Sequence, residues 1–149
     1  MIESDVLYAH VKQRDWLKDH AETLLRAVQA GEMKNVCADR ETLHELYYLL
    51  ARSGVKAEEA LSRVGALTRI PNLRWVGTDT DDDLLALSLM ATYRLSSVFD
   101  AYHASACLLH DPEHTVVSTD SVYDKILGLK RVDPRELGGR LSLGGGERG

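Results

Sequence analysis

At 149 residues and 16.6 kDa, the chain suits one domain that buries its own core without disulfides or structural metals. Its 44% hydrophobic and 28% charged residues exclude a disordered, collagenous or low-complexity polypeptide. A net charge of −5, from 18 basic and 23 acidic side chains, excludes attachment to nucleic acid by bulk charge, so any such role needs a local site.

In chain order, residues 1–11 form a short apolar segment interrupted by Glu3 and Asp5, and a polar stretch with Arg14, Asp15 and Trp16 follows. This reads as a strand and then a short helix. Residues 16–30 repeat Leu17, Ala21, Leu24, Leu25 and Val28 at helical spacing, and Gly31 stops them. Residues 35–38 read as a second strand, and Asp39 is placed to cap a helix carrying Leu43, Leu46, Tyr47 and Leu50 on one face. Another helix covers residues 57–70, and Pro71 and Asn72 break it before a strand at residues 73–76. Thr80 and Asp83 have capping-box spacing ahead of a helix with Leu84, Leu87, Ala91 and Leu95. A further helix runs from Asp100 to about Leu109, with Ala101, Ala104, Ser105 and Leu108 as a narrow packing stripe. Thr115, Val116 and Val117 make a β-branched strand, and Asp120 is placed to cap a short helix ending at Gly128.

Strands and helices that alternate in this way predict a three-layer α/β/α sandwich with a small, mostly parallel central sheet. Ligands of such folds sit beyond the carboxyl ends of the strands at a topological switch point. Residues 1–135 are expected to form the domain. Residues 136–149, rich in glycine, read as a flexible tail. Cys37 and Cys107 belong to no CxxC or Cys/His pattern and read as buried small hydrophobes of a reducing compartment. No apolar run approaches the ~20 residues that span a bilayer, and no secretory leader pattern opens the chain, so a cytoplasmic protein with no membrane partner is expected.

No GxSxG, P-loop, GxGxxG or HExxH pattern is present, which leaves carboxylates as the candidate chemistry. Glu3 and Asp5 close the first strand, Glu45 flanks an apolar helical stripe, Asp100 starts a helix and Asp120 follows a strand. Taken singly, Asp100 and Asp120 read first as helix caps, as do Asp79, Asp81, Asp82 and Asp83. His103, one turn beyond Asp100, reads as a packed or exposed histidine rather than a ligand.

Four segments, taken in order, are more specific than any single acid. They are Glu3-Ser4-Asp5-Val6-Leu7, Thr42-Leu43-His44-Glu45-Leu46, Phe99-Asp100-Ala101-Tyr102-His103-Ala104-Ser105-Ala106 and Val116-Val117-Ser118-Thr119-Asp120. Together they resemble the PIN-domain family, particularly its small VapC-type toxin nucleases, over roughly residues 1–135. The resemblance implies a small parallel sheet with acids gathered at one end, Glu45, Asp100 and Asp120 in acidic positions, and Ser118 and Thr119 as a positioning hydroxyl pair. It also puts Asp124 at the place of an additional acid. Glu3 stands where the family carries its first Asp, with Asp5 two places on, so Glu3 is expected to fill the first acidic position.

Several carboxylates crowded together need a cation to stay ionised, and oxygen ligands favour Mg²⁺ or Mn²⁺ over zinc. The activity that the resemblance implies is metal-dependent endoribonuclease cleavage, with Glu3, Asp5, Glu45, Asp100 and Asp120 as catalytic metal ligands. Arg40, Arg94 and Lys125 are candidates to hold flanking phosphates. The implied setting is a toxin with an antitoxin protein as partner. A homodimer is expected from the family and from Tyr47, Tyr48, Leu50 and Leu61 as surplus apolar positions of residues 41–70. A catalytically weak PIN module that binds RNA or protein, and a receiver-like phosphate-accepting domain, are the competing readings.

Overall fold

The computed structural model describes residues 1–137, so the glycine-rich stretch from residue 138 lies outside the described residues. Helices α1 (Ser4–Val11), α2 (Lys18–Gln29), α3 (Glu41–Arg52), α4 (Ala57–Leu67), α5 (Thr80–Tyr93) and α6 (Val98–His110) lie in pairs between short strands. The strands are β1 (Cys37–Asp39), β2 (Arg74–Val76), β3 (Thr115–Val117) and β4 (Lys130–Val132), with a 3₁₀ helix at Ser121–Lys125 between the last two.

β1 pairs with β2 and β3 with β4, both in parallel. Residues 1–3 join the two pairs. The Ile2 N–H donates to the Cys37 carbonyl at 2.7 Å, the Val117 N–H donates to Met1 at 2.8 Å, and the Glu3 N–H donates to Val117 at 3.1 Å. The resulting order is β2, β1, residues 1–3, β3, β4, with Ile2 bridging Val117 in parallel and bonded to β1 through the Ile2 N–H. Alternation along each strand sends side chains to opposite faces. Ile2, Ala38 and Val117 pack with α1, α2 and α4, while Met1, Cys37, Val76 and Val116 pack with α5 and α6. This is the three-layer α/β/α sandwich that the sequence predicts.

The chain builds β1 and β2 on one side of residues 1–3 and then crosses to β3 and β4 on the other. The connections therefore diverge beside the first segment, and the crevice at its carboxyl end is open.

Local departures from expectation each have a cause. The first segment is extended only to Glu3, because the Glu3 carboxylate accepts from the Asp5 N–H at 3.2 Å and caps α1 from Ser4 onward. The capping box of α5 is Asp79 with Asp82, one residue before the expected pair. Leu84 and Leu87 are exposed, and Ala86 and Leu89 turn inward instead. Ser97 caps α6 by accepting from the Asp100 N–H, which frees the Asp100 carboxylate from that role. β4 lies outside the strands expected from sequence: its alternation is too short to register, and β3 supplies its pairing. Leu50 is 1% exposed and belongs to the core, which leaves Tyr47, Tyr48 and Leu61 as the exposed apolar residues of that region.

Candidate active site

All five expected acids come to one place. Glu3, Asp5, Glu45, Asp100 and Asp120 line a cavity of about 340 Å³, together with Ser4, Tyr8, Leu49 and Thr119. The reason is topological. Glu3 ends the central extended segment, Asp120 follows β3, and the starts of α1 and α6 and the second turn of α3 lie over the same carboxyl edge.

Glu3 and Asp5 are fastened to the segment after β3. The Ser118 hydroxyl donates to Glu3 Oε2 at 3.0 Å, and Asp5 Oδ2 accepts from the Thr119 N–H at 2.8 Å and the Thr119 hydroxyl at 2.6 Å. The Ser4 hydroxyl also donates to Glu3. Ser118 Oγ in turn accepts from the Asp120 N–H at 3.0 Å, and Asp120 Oδ1 accepts from the Val122 N–H at 2.9 Å, so Asp120 both lines the cavity and caps the 3₁₀ helix. The expected hydroxyl pair thus ties the segment after β3 to the central extended segment and the start of α1. Asp124 does something else: it forms two bonds with Arg131, at 2.8 and 3.0 Å, and does not line the cavity.

Two residues of the site were not recognised from sequence. His103 is 0% exposed; its Nδ1 lies 2.6 Å from Asp39 Oδ2 and its Nε2 lies 2.6 Å from Glu45 Oε2. Glu3 Oε1 is 3.5 Å from the same Nε2. Asp39, also fully buried, receives bonds from the Thr42 N–H at 3.2 Å and the Thr42 hydroxyl at 3.3 Å, so its expected capping role is one of two. Asp39 shares its sheet face with Cys37, the face that meets α6, and this aims it at His103. The signal available in the sequence was the spacing of Asp100 and His103, one turn apart on α6 and hence on one side of the helix.

The electrostatics follow from burial and crowding. Burial pushes the Glu3 carboxyl up to about 8, with the Asp5 charge adding and His103 opposing. Burial likewise pushes Asp100 up to about 6, opposed by His103 and reinforced by Asp120, Glu45 and Asp5. For Asp39 burial acts upward, but the charge and hydrogen bond of His103 outweigh it and hold the carboxyl below its usual range. Burial acts downward on His103, and the charge and hydrogen bond of Asp39, with Glu45 and Glu3, carry it well above its usual value.

A testable consequence concerns the metal-free protein. Glu3 binds its proton more tightly folded than unfolded, so its contribution to stability is lost as pH rises from 4.5 to about 8. Thermal unfolding in EDTA is expected to move to lower temperature across that window, and Glu3→Gln is expected to flatten the dependence. An unchanged slope in Glu3→Gln would show that Glu3 does not carry it.

The donor set fits a divalent cation. Five carboxylates face one cavity, the His103 imidazole lies beside them, and Asp5 Oδ1 is buried without a hydrogen-bond partner among the described residues. One ligand atom each from Glu3, Glu45 and His103 lie within 4.8 Å of one another. Glu3, Glu45 and His103 are close enough to share one ion, and Asp5, Asp100 and Asp120 line the same cavity.

Comparison with known proteins agrees with this architecture. No curated protein matches the sequence. The fold is similar to a chain in the crystal structure of VapBC2 from Rickettsia felis bound to a DNA fragment from their promoter, with a TM-score of 0.68 and 15% identity. The match covers 89% of this chain and 96% of that one. The family model of the PIN domain matches residues 1–128, a span that contains every acid of the cavity, and the chain belongs to the PIN-domain family.

Proposed function

We propose that this PIN domain is a metal-dependent endoribonuclease, the toxin of a toxin-antitoxin pair, working with Mg²⁺ or Mn²⁺. The observation that carries the reading is the convergence of Glu3, Asp5, Glu45, Asp100 and Asp120 on one cavity at the switch point of a parallel sheet. PIN domains are generally nucleases. The fold likeness to a VapBC complex supports an antitoxin protein as partner.

A divalent cation supplies charge neutralisation of the phosphodiester and acidifies a water for in-line attack. The protein's part is to hold and orient. Ser118 and Thr119 fix the Glu3 and Asp5 carboxylates by direct bonds, and Tyr8 and Leu49 wall the cavity on the α1 and α3 side. Asp100 makes no hydrogen bond through its carboxylate among the described residues, so its oxygens are available to an ion or a water. The substrate strand needs cations beyond the acids. Lys12, Arg14, Lys56 and Arg63 line an open cleft of about 550 Å³ at the far ends of α1 and α3, with Glu59 among them. The exposed Arg40, Arg94 and Lys125 lie elsewhere on the surface.

The homodimer belongs to the same reading and rests on the exposed Tyr47, Tyr48 and Leu61 of α3 and α4. A cytoplasmic setting is part of it too, and no helix among the described residues is long and apolar enough to cross a membrane.

Incubating mixed-sequence RNA with the protein and Mn²⁺, Mg²⁺ or EDTA tests the proposal. Cleavage with either metal and none in EDTA is the expected result. Binding of RNA without cleavage in any metal would favour instead a catalytically weak PIN module, a reading that Glu3 in the first acidic position keeps open.

A further inference from the structure

We propose that His103 is a nitrogen ligand of the bound cation, held in that role by Asp39, and that the site for this reason prefers Mn²⁺ to Mg²⁺. The inference rests on the metal-centred reading above and concerns which atoms complete the ion's shell. A metal-ligating histidine characteristically commits its second ring N–H to a carboxylate, which fixes the tautomer and the ring plane. His103 has that arrangement: Nδ1 is 2.6 Å from Asp39 Oδ2, and Asp39 is itself pinned by the backbone and hydroxyl of Thr42. Both side chains are completely buried, so the ring has no solvent-facing alternative.

With Nδ1 committed, Nε2 is the ring atom turned to the acids. It lies 2.6 Å from Glu45 Oε2 and 3.5 Å from Glu3 Oε1. Glu3, Glu45 and His103 each offer a ligand atom within 4.8 Å of the other two. The three come from the central extended segment, α3 and α6, so no local capping or turn motif explains why they meet. A cation bound among these acids would be held by Nε2 together with Glu3 and Glu45, in place of the contact that Nε2 now makes with Glu45.

The chemical consequence is selectivity. Mg²⁺ is hard and holds to oxygen ligands and its own waters, whereas an imidazole in the shell moves preference toward transition metals, of which Mn²⁺ still accepts a carboxylate majority. Asp39 touches neither ion nor substrate and acts as a positioning residue through the ring.

The test uses the full chain loaded with Mn²⁺ alone, without RNA, in pulsed electron paramagnetic resonance. Modulation from an imidazole ¹⁴N coupled to Mn²⁺ is expected in the parent and absent in His103→Gln. Asp39→Asn is expected to weaken Mn²⁺ binding by about 10-fold, the scale of removing an outer-shell partner, and to narrow the preference over Mg²⁺. Mn²⁺ bound without ¹⁴N modulation would put His103 outside the shell and overturn this inference, while the metal-centred reading stands. No Mn²⁺ bound at all would overturn both. The decisive spectrum is that of the parent protein, so it does not depend on how well either variant folds.

Discussion

Asp100→Asn is expected to lower RNA cleavage by about 10²-fold or more, the usual cost of removing one preorganised electrostatic group, while leaving thermal unfolding close to that of the parent. The two readouts separate because of where Asp100 stands. Ser97, not Asp100, caps α6, and the Asp100 carboxylate bonds to no protein group among the described residues. Replacing it with an amide of nearly equal volume therefore removes no structural bond. It does remove a negative charge that faces Asp120, Glu45 and Asp5, and that charge repels in the absence of an ion. Unfolding in EDTA is thus expected to be unchanged or slightly later in the variant, and metal-induced stabilisation to be smaller. Full cleavage by Asp100→Asn would remove this residue from the mechanism.

His103→Ala is expected to have the largest effect on stability, about 3–5 kcal/mol in urea unfolding without metal, the range for breaking a buried charge pair by deleting one partner. His103 is the cationic group around which Asp39, Glu45 and Glu3 gather, and Asp39 has no exposure to water. Deleting the ring leaves the buried Asp39 carboxylate, with Glu45 beside it, facing a vacated space with no compensating charge. Thr42 still bonds Asp39 but does not neutralise it. Mn²⁺ is expected to recover part of the loss, since a dication in the same space offsets the same charges. A fall of less than about 1 kcal/mol, the scale of an exposed pair, would show that the acids do not depend on His103.

Much of the organisation is legible along the chain because it is local. The helical repeat of Leu17, Ala21, Leu24, Leu25 and Val28 and the stop at Gly31 need no knowledge of neighbours, and α2 forms where that pattern lies. The strand at Thr115–Val117 follows likewise from β-branched residues that suit a pleated, buried surface. Boundaries set by a single side chain are harder. Glu3 reads as a strand residue, yet its carboxylate accepts from the Asp5 N–H and starts a helix one residue later. Choosing Asp79 over Thr80 as the α5 cap depends on backbone angles that composition does not express.

For the site, it was the order of four short segments, matched to the pattern of the PIN-domain family, that nominated Glu3, Asp5, Glu45, Asp100 and Asp120, because each acid taken singly reads as a cap or a solvated side chain. Their meeting in one cavity was decided by the parallel sheet, which brings residues more than a hundred positions apart, such as Asp5 and Thr119, into direct hydrogen bonds. Asp39 and His103 were beyond the sequence for a different reason. A buried aspartate and a buried histidine look in sequence like a helix cap and a core residue, since their charges matter only when each is the other's partner across 64 positions. That pairing exists because β1 turns Asp39 toward the sheet face covered by α6, a relation of one strand face to one helix face that no local pattern encodes.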